Sequence, residues 1–288
     1  MPVTELLPTK DPIDSGAAYS ERWLSVQDGV ELRVMEWWPD GTGEPPLYFV
    51  AGWVSVVEGW RPLLEVLVRR RPVVYIETRE KRSAKIDRRR LRVEEFSVQR
   101  LAEDLCEIAR VVGADRSSAI WFGSSMGSTA LLEALKGARL PARAAFLIGP
   151  NAAFRFPWWS LPLLRVPAAS YSVAKHLVIW YLRHFRVDAS REPDQMRRYE
   201  RTLNAAEPVR LKLSARAVVG YSLWPRLETV TAPVAIAYAS SDVLHAESEA
   251  KSIVATLPAG IAVECPSNTY MHRAEVARDI EEFIAGLG

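Results

Sequence analysis

Short apolar runs recur along the chain with amphipathic stretches between them, and this alternation constrains the fold more than any other feature. Leu47-Tyr48-Phe49-Val50 and Val73-Val74-Tyr75-Ile76 are apolar at every position, as suits strands covered on both faces. Ser118 to Phe122, Ala144 to Ile148, Val234 to Ala239 and Ile261 to Glu264 read as further strands. Between them the spacing predicts helices over Trp60 to Arg70, Val93 to Val112, Met126 to Gly137, Ala246 to Leu257 and His272 to Leu287. In the second of these, Phe96, Leu101, Leu105, Ile108 and Val112 mark the apolar face. Strands joined through helices imply a parallel sheet with helices on both faces. The chain opens differently, because Tyr19 to Val26 and Val30 to Trp38 flank the hairpin pair Asp28-Gly29 and are expected to run antiparallel.

The alternation stops at Gly149-Pro150-Asn151 and resumes at Pro233. The intervening stretch contains the run PWWSLPLLRVP, followed by expected helices over Ser172 to Phe185, Pro193 to Asn204 and Val209 to Val219. A chain of 288 residues accommodates this as one α/β domain in two sequence pieces, 1–150 and 226–288, with a helical cap inserted over 151–225.

Several function classes are set aside by composition. The formal net charge is only +2, and no nucleic-acid-binding module is visible, so nucleic acid is not an expected partner. The one basic concentration is TREKRSAKIDRRRLR, which runs from Thr78 to Arg92 and is read first as a solvated loop. No apolar stretch reaches the ~18 residues that span a bilayer, and the first residues carry no signal-like run. Cys106 and Cys265 are too few for a disulfide framework or a four-cysteine zinc site. The expected compartment is the reducing cytoplasm.

Gly123-Ser124-Ser125-Met126-Gly127 is the sharpest chemical signal. It follows an expected strand directly and opens an expected helix, the setting in which small residues allow a strained turn that lifts a serine hydroxyl clear of a sheet. The helix N-terminus adds positive partial charge beside any oxyanion that develops there. Ser125 is therefore the candidate nucleophile. A serine hydroxyl needs an imidazole to take its proton, and four histidines are available. His176 and His184 fall in the inserted segment and His245 just after a strand, and all three are read as surface or packing residues. His272 lies in the loop beyond the last strand, where the strand ends of a parallel sheet converge, and it is taken as the base. Asp242, just past the preceding strand, is the expected carboxylate partner. Glu247 is a weaker substitute.

With these residues in hand, the chain resembles the α/β-hydrolase superfamily from about Tyr19 onward, as a serine-nucleophile member with a helical cap. Leu47 to Trp53 matches the strand and turn that supply one oxyanion donor, and Trp60 stands where the family often has a tryptophan before its first helix. The resemblance implies the backbone amides of Trp53 and Met126 as oxyanion donors. Two segments depart from the family. Ala51-Gly52 stands where His-Gly is usual, and Glu77-Thr78-Arg79-Glu80-Lys81 replaces a glycine-rich turn. The charged turn is read as a structural ion-pair cluster beside the nucleophile, with a site for an anionic group as the other reading.

The expected activity is serine-dependent hydrolysis of a small, largely apolar carboxylic ester through an acyl-enzyme, with no metal and no organic cofactor. Thioesterase, lipase, carbon-carbon bond hydrolase, acyltransferase and cofactor-free peroxidase chemistry share the same residues. A non-catalytic scaffold that binds an apolar ligand or partner is the reading from another class. Ten tryptophans are present, and Trp158, Trp159 and Trp180 with Tyr181 fall in the inserted segment. They are read equally as lining a substrate pocket or as docking the cap on the core. A third reading rests their rings and nearby arginines on an anionic membrane surface.

Overall fold

The computed structural model describes residues 10–156, 171–186, 193–242 and 245–287. Among them the strands build one nine-stranded sheet: β1 (Ala18–Gln27), β2 (Val30–Trp38), β3 (Leu47–Val50), β4 (Val73–Ile76), β5 (Lys85–Ile86), β6 (Ile120–Ser124), β7 (Ala144–Ile148), β8 (Val234–Tyr238) and β9 (Gly260–Glu264). The order across the sheet is β1-β2-β4-β3-β6-β7-β8-β9, with the short β5 paired to β2. The first two strands are antiparallel, and all pairings from β4 through β3 to β9 are parallel. β5 carries no apolar pattern, and only its pairing with β2 makes it a strand.

Side chains of each central strand alternate between two cores. Tyr48 and Val50 of β3 join Trp121, Leu147 and Ile236 on one face, while Leu47 and Phe49 join Tyr75, Phe122 and Phe146 on the other. Two-residue periodicity thus survives in strands whose sequence is apolar throughout. The first core is covered by α2 (Val98–Val112), α3 (Met126–Leu135) and α7 (Glu247–Thr256) through Leu101, Leu105, Leu131 and Ile253. The second is covered by α1 (Arg61–Leu67) and α9 (Val276–Ala285) through Leu63, Leu64, Val276 and Ile280. Each fully buried Leu or Ile contributes about 1.5–3 kcal/mol, far more than the tenths that separate helix propensities, so β-branched Val276 and Ile280 are tolerated in α9.

Two expected helices are broken by local chemistry. Val93–Phe96 is a 3-10 turn; Ser97 is extended at φ −67°, ψ 156°, and its side chain accepts from Arg100 N at 3.3 Å to start α2. The expected closing helix over His272 to Leu287 starts later, as α9 (Val276–Ala285), and a separate short turn of helix precedes it. A short α8 (Asn268–Met271) is capped by Ser267, and His272 at φ −112°, ψ 7° ends it before α9 begins.

The basic segment divides in two, which corrects the reading of Arg79 to Arg92 as a solvated loop. Glu77, Thr78, Arg79, Glu80 and Lys81 are buried. Arg79 donates to Asp104 Oδ1 at 2.7 Å, Glu95 Oε2 at 2.8 Å and Gln27 Oε1 at 2.9 Å. A guanidinium is held inside because those partners fill its planar fork of donors. Beyond residue 84 the cations face water and sit beside acids, with Lys85 on Glu31, Arg89 on Asp28 and Arg90 on Glu95.

Between β7 and β8 lie α4 (Tyr171–Tyr181), which continues as a wider turn over Leu182–Arg186, then α5 (Pro193–Ala205) and α6 (Pro208–Ala217). α6 is tied to the core, because Arg210 Nη1 donates to the carbonyls of Lys81 at 2.6 Å and Ala84 at 2.8 Å.

Candidate active site

The β6-to-α3 turn is strained where the sequence places its serine. Ser125 has φ 51°, ψ −115°, a conformation that side-chain-bearing residues avoid. The turn is held from both sides: Ser125 N donates to Ile148 O at 2.8 Å, and Ser128 Oγ donates to the same carbonyl at 2.9 Å. Gly127 has no alternative, since a Cβ there would run into the carbonyl oxygens of Val50 and Ala51. Close approach of α3 to the end of β3 therefore sets the residue types of this turn.

The hydroxyl lifted out by this turn meets His245. His245 Nε2 lies 3.0 Å from Ser125 Oγ, and Nδ1 lies 3.0 Å from Asp242 Oδ2. The His245 backbone N–H also donates to Asp242 Oδ1 at 3.2 Å, so the carboxylate grips the imidazole and its main chain together. A turn closed by Asp242 N on Ala239 O at 3.0 Å places both residues just past β8. Asp242 is held in turn by Asn268 Nδ2 at 2.6 Å. The imidazole leaves 13% of its side-chain surface to solvent and Asp242 only 1%. Burial alone would depress the His245 pKa, but the charge and hydrogen bond of Asp242, with added charge from Glu249, outweigh it and hold the ring above its ordinary 6.5.

The ring occupies a seat that a side chain would fill. Gly149 follows β7 at φ 49°, and a Cβ on it would lie 2.8 Å from His245 Cγ and 3.1 Å from Nδ1. The break in the strand pattern at Gly149-Pro150 is thus the floor under the imidazole.

His272, the base expected from sequence, makes contacts of another kind. Its Nδ1 bonds to Asn268 O at 2.8 Å, and its ring stacks on Trp60 with centroids 4.8 Å apart. The hydrogen bonds that join Ser125 to Asp242 run through His245. Asp242 and His245, three residues apart beyond β8, thus bring a carboxylate and an imidazole to Ser125 from one short stretch.

The loop after β3 packs against the nucleophile, since a Cβ on Gly52 would come within 3.5 Å of Ser125 Cβ. Among the described residues neither the Trp53 nor the Met126 amide donates a backbone hydrogen bond. The Trp53 indole donates to Ser214 Oγ of α6 at 2.8 Å. Asn151 Nδ2 makes a long contact of 3.4 Å with Ser125 Oγ.

The aromatics expected to line a pocket divide. Trp158 and Trp159 lie outside the described residues. Trp180 is 51% exposed, and its ring partners are His184 and Phe185 of its own segment. Tyr181 stacks on Phe185 at 5.7 Å. These ring contacts are local to the helix and the turn that continues it. A surface groove of about 620 Å³ between α1 and α9, lined by Val66, Tyr270, Arg278 and Glu281 among others, contains none of the residues around Ser125.

No family model matches the chain, and no curated protein matches it in sequence. Solved structures do match in fold. An enol-lactonase from Burkholderia xenovorans superposes with a TM-score of 0.72 at 16% identity, over 92% of this chain and 99% of that one. A thermophilic esterase from Thermogutta terrifontis does so with 0.71 at 16% identity, over 89% and 94%. A hydrolase from Oleispira antarctica gives 0.71 at 16% identity, over 88% and 94%.

Proposed function

On the α/β-hydrolase fold that this chain adopts, we propose a serine hydrolase that cleaves a carboxylic ester of a small, largely apolar compound. The observation that carries this reading is the continuous line Ser125 Oγ, His245 Nε2, His245 Nδ1, Asp242 Oδ2, with 3.0 Å at each junction. Structural neighbours that include a hydrolase, an esterase and an enol-lactonase support acyl chemistry on this fold.

In the proposed reaction Ser125 Oγ attacks the ester carbonyl while His245 Nε2 takes its proton. Asp242 keeps the imidazole in the right tautomer and stabilises its cation. The tetrahedral oxyanion is received by the Trp53 and Met126 amides, each donor being worth about 10²–10³-fold in rate. His245 then returns the proton to the departing alkoxide, leaving an acyl-Ser125 that water hydrolyses by the same relay. Residues 151–225 act as the cap over this edge, an arrangement supported by the bond from Ser214 of α6 to the Trp53 indole.

The test is hydrolysis of chromogenic esters from short to long acyl chains by wild type, Ser125→Ala, His245→Ala and His272→Ala, with fluorophosphonate labelling alongside. The expected result is turnover and labelling in wild type, lost in the first two variants and kept in the third. Wild type that is inert on every ester and unlabelled at Ser125 would overturn the reading.

A further inference from the structure

The buried charges beside the nucleophile have no part in the relay above, and they hold two consecutive peptide groups of one turn. Glu80 and Lys81 are 1% and 4% exposed. Lys81 Nζ donates to Gly52 O at 2.6 Å and to Glu80 Oε1 at 2.9 Å. Glu80 Oε1 also accepts from Thr78 Oγ1 at 2.8 Å and from Val54 N at 3.2 Å. The Gly52 carbonyl and the Trp53 N–H belong to the same planar trans unit, so they point in opposite directions. An ammonium fixed on the carbonyl therefore dictates where the amide hydrogen aims. Glu80 holds the next amide, that of Val54, whose φ of 45° is strained for a β-branched residue and needs such support. Burial pushes the Glu80 carboxyl up, but the charge and hydrogen bond of Lys81 and the Thr78 hydroxyl outweigh it and hold it below the usual range. It is a carboxylate at neutral pH.

We propose that Lys81 and Glu80 are positioning residues for the hydrolysis: they clamp the peptide between Gly52 and Trp53 from behind, so that its N–H faces Ser125 and is polarised as an oxyanion donor. This rests on the serine-hydrolase reading and names what orders its oxyanion turn. A charge-assisted bond to a carbonyl draws electron density from the whole amide and strengthens its N–H as a donor. A turn that needed only to close behind β4 would not require two ions removed from water.

The experiment compares wild type, Lys81→Met and Glu80→Gln on one chromogenic ester, with kcat referred to fluorophosphonate-titrated sites. Binding of an aryl boronic acid, which forms a tetrahedral adduct on the serine, is measured in parallel. For Lys81→Met we expect kcat to fall about 10- to 100-fold, somewhat less than for outright loss of a donor, and boronate affinity to fall in parallel, with KM within about twofold. Glu80→Gln, which keeps an acceptor for Val54 N, should lose less and serves if Lys81→Met does not fold. Unchanged kcat per titrated site and unchanged boronate affinity in whichever variant folds, with only the melting temperature lowered, would overturn the clamp while leaving the hydrolase reading intact. An inert, unlabelled wild type would instead remove both.

Discussion

Replacing Gly149 with Ala puts the assignment of the base to its most direct test. The new Cβ would sit 2.8 Å from His245 Cγ, roughly 0.7 Å inside the ~3.5 Å at which carbon atoms pack. The ring must retreat by about that distance, and its 3.0 Å bond to Ser125 Oγ must stretch or bend to follow. Misplacing a reacting group by ~1 Å costs on the order of 10²-fold, so kcat should drop about 10- to 100-fold. The substitution also places Ala at a φ of 49°, a strain of about 1–2 kcal/mol, which lowers the melting temperature by roughly 2–8 °C in a domain of this size. The assay is ester turnover per folded molecule, with the folded fraction fixed by circular dichroism well below the transition. If turnover per folded molecule stays within twofold while stability falls as expected, His245 is not the base and the reasoning fails.

Ser125→Ala and His245→Ala should each cost about 10⁴-fold or more in kcat, and Asp242→Asn about 10⁴-fold, whereas His272→Ala should stay within tenfold of wild type; steady-state kinetics at one pH decides among them. The imidazole must be neutral to accept the serine proton, and its pKa is held above 6.5, so kcat/KM against pH should fall on the acid side with a midpoint above that value. The same shift has the opposite sign for stability: the protonated ring next to Asp242 contributes stability that is complete below the unfolded value of 6.5 and is lost as pH rises through the folded one. Arg79→Leu strands the buried Asp104 and should cost about 3–5 kcal/mol in urea unfolding without changing kcat per titrated site.

Residues whose environment is made by their immediate neighbours were legible from sequence. The strand-turn-helix around Ser125 is local, and so is the apolar character of β3 and β4, and both stand where the pattern puts them. The choice between His245 and His272 was not local. It depends on how closely the loop after β8 approaches the nucleophile, and a glycine 96 positions earlier along the chain makes the room. The charged turn after β4 illustrates the same limit: eight cations between Arg79 and Arg92 look alike in sequence, yet Arg79 and Lys81 are buried because Asp104, Glu95, Gln27 and Gly52 approach from distant segments. Composition shows that the cations are there; only the tertiary fold decides which of them water reaches.

Asp242 and His245 stand three residues apart, which makes the relay two jobs of unequal difficulty. The carboxylate and the imidazole are tethered by the chain itself, so their encounter is nearly intramolecular in the kinetic sense and survives when the surrounding structure breathes. The contacts with Ser125 and with Asn268 have to be made from other segments. For the same reason the pair is portable: a short loop carrying an aspartate and a histidine at this spacing, set opposite a nucleophile turn with a glycine beneath the ring, is a compact specification for installing a base.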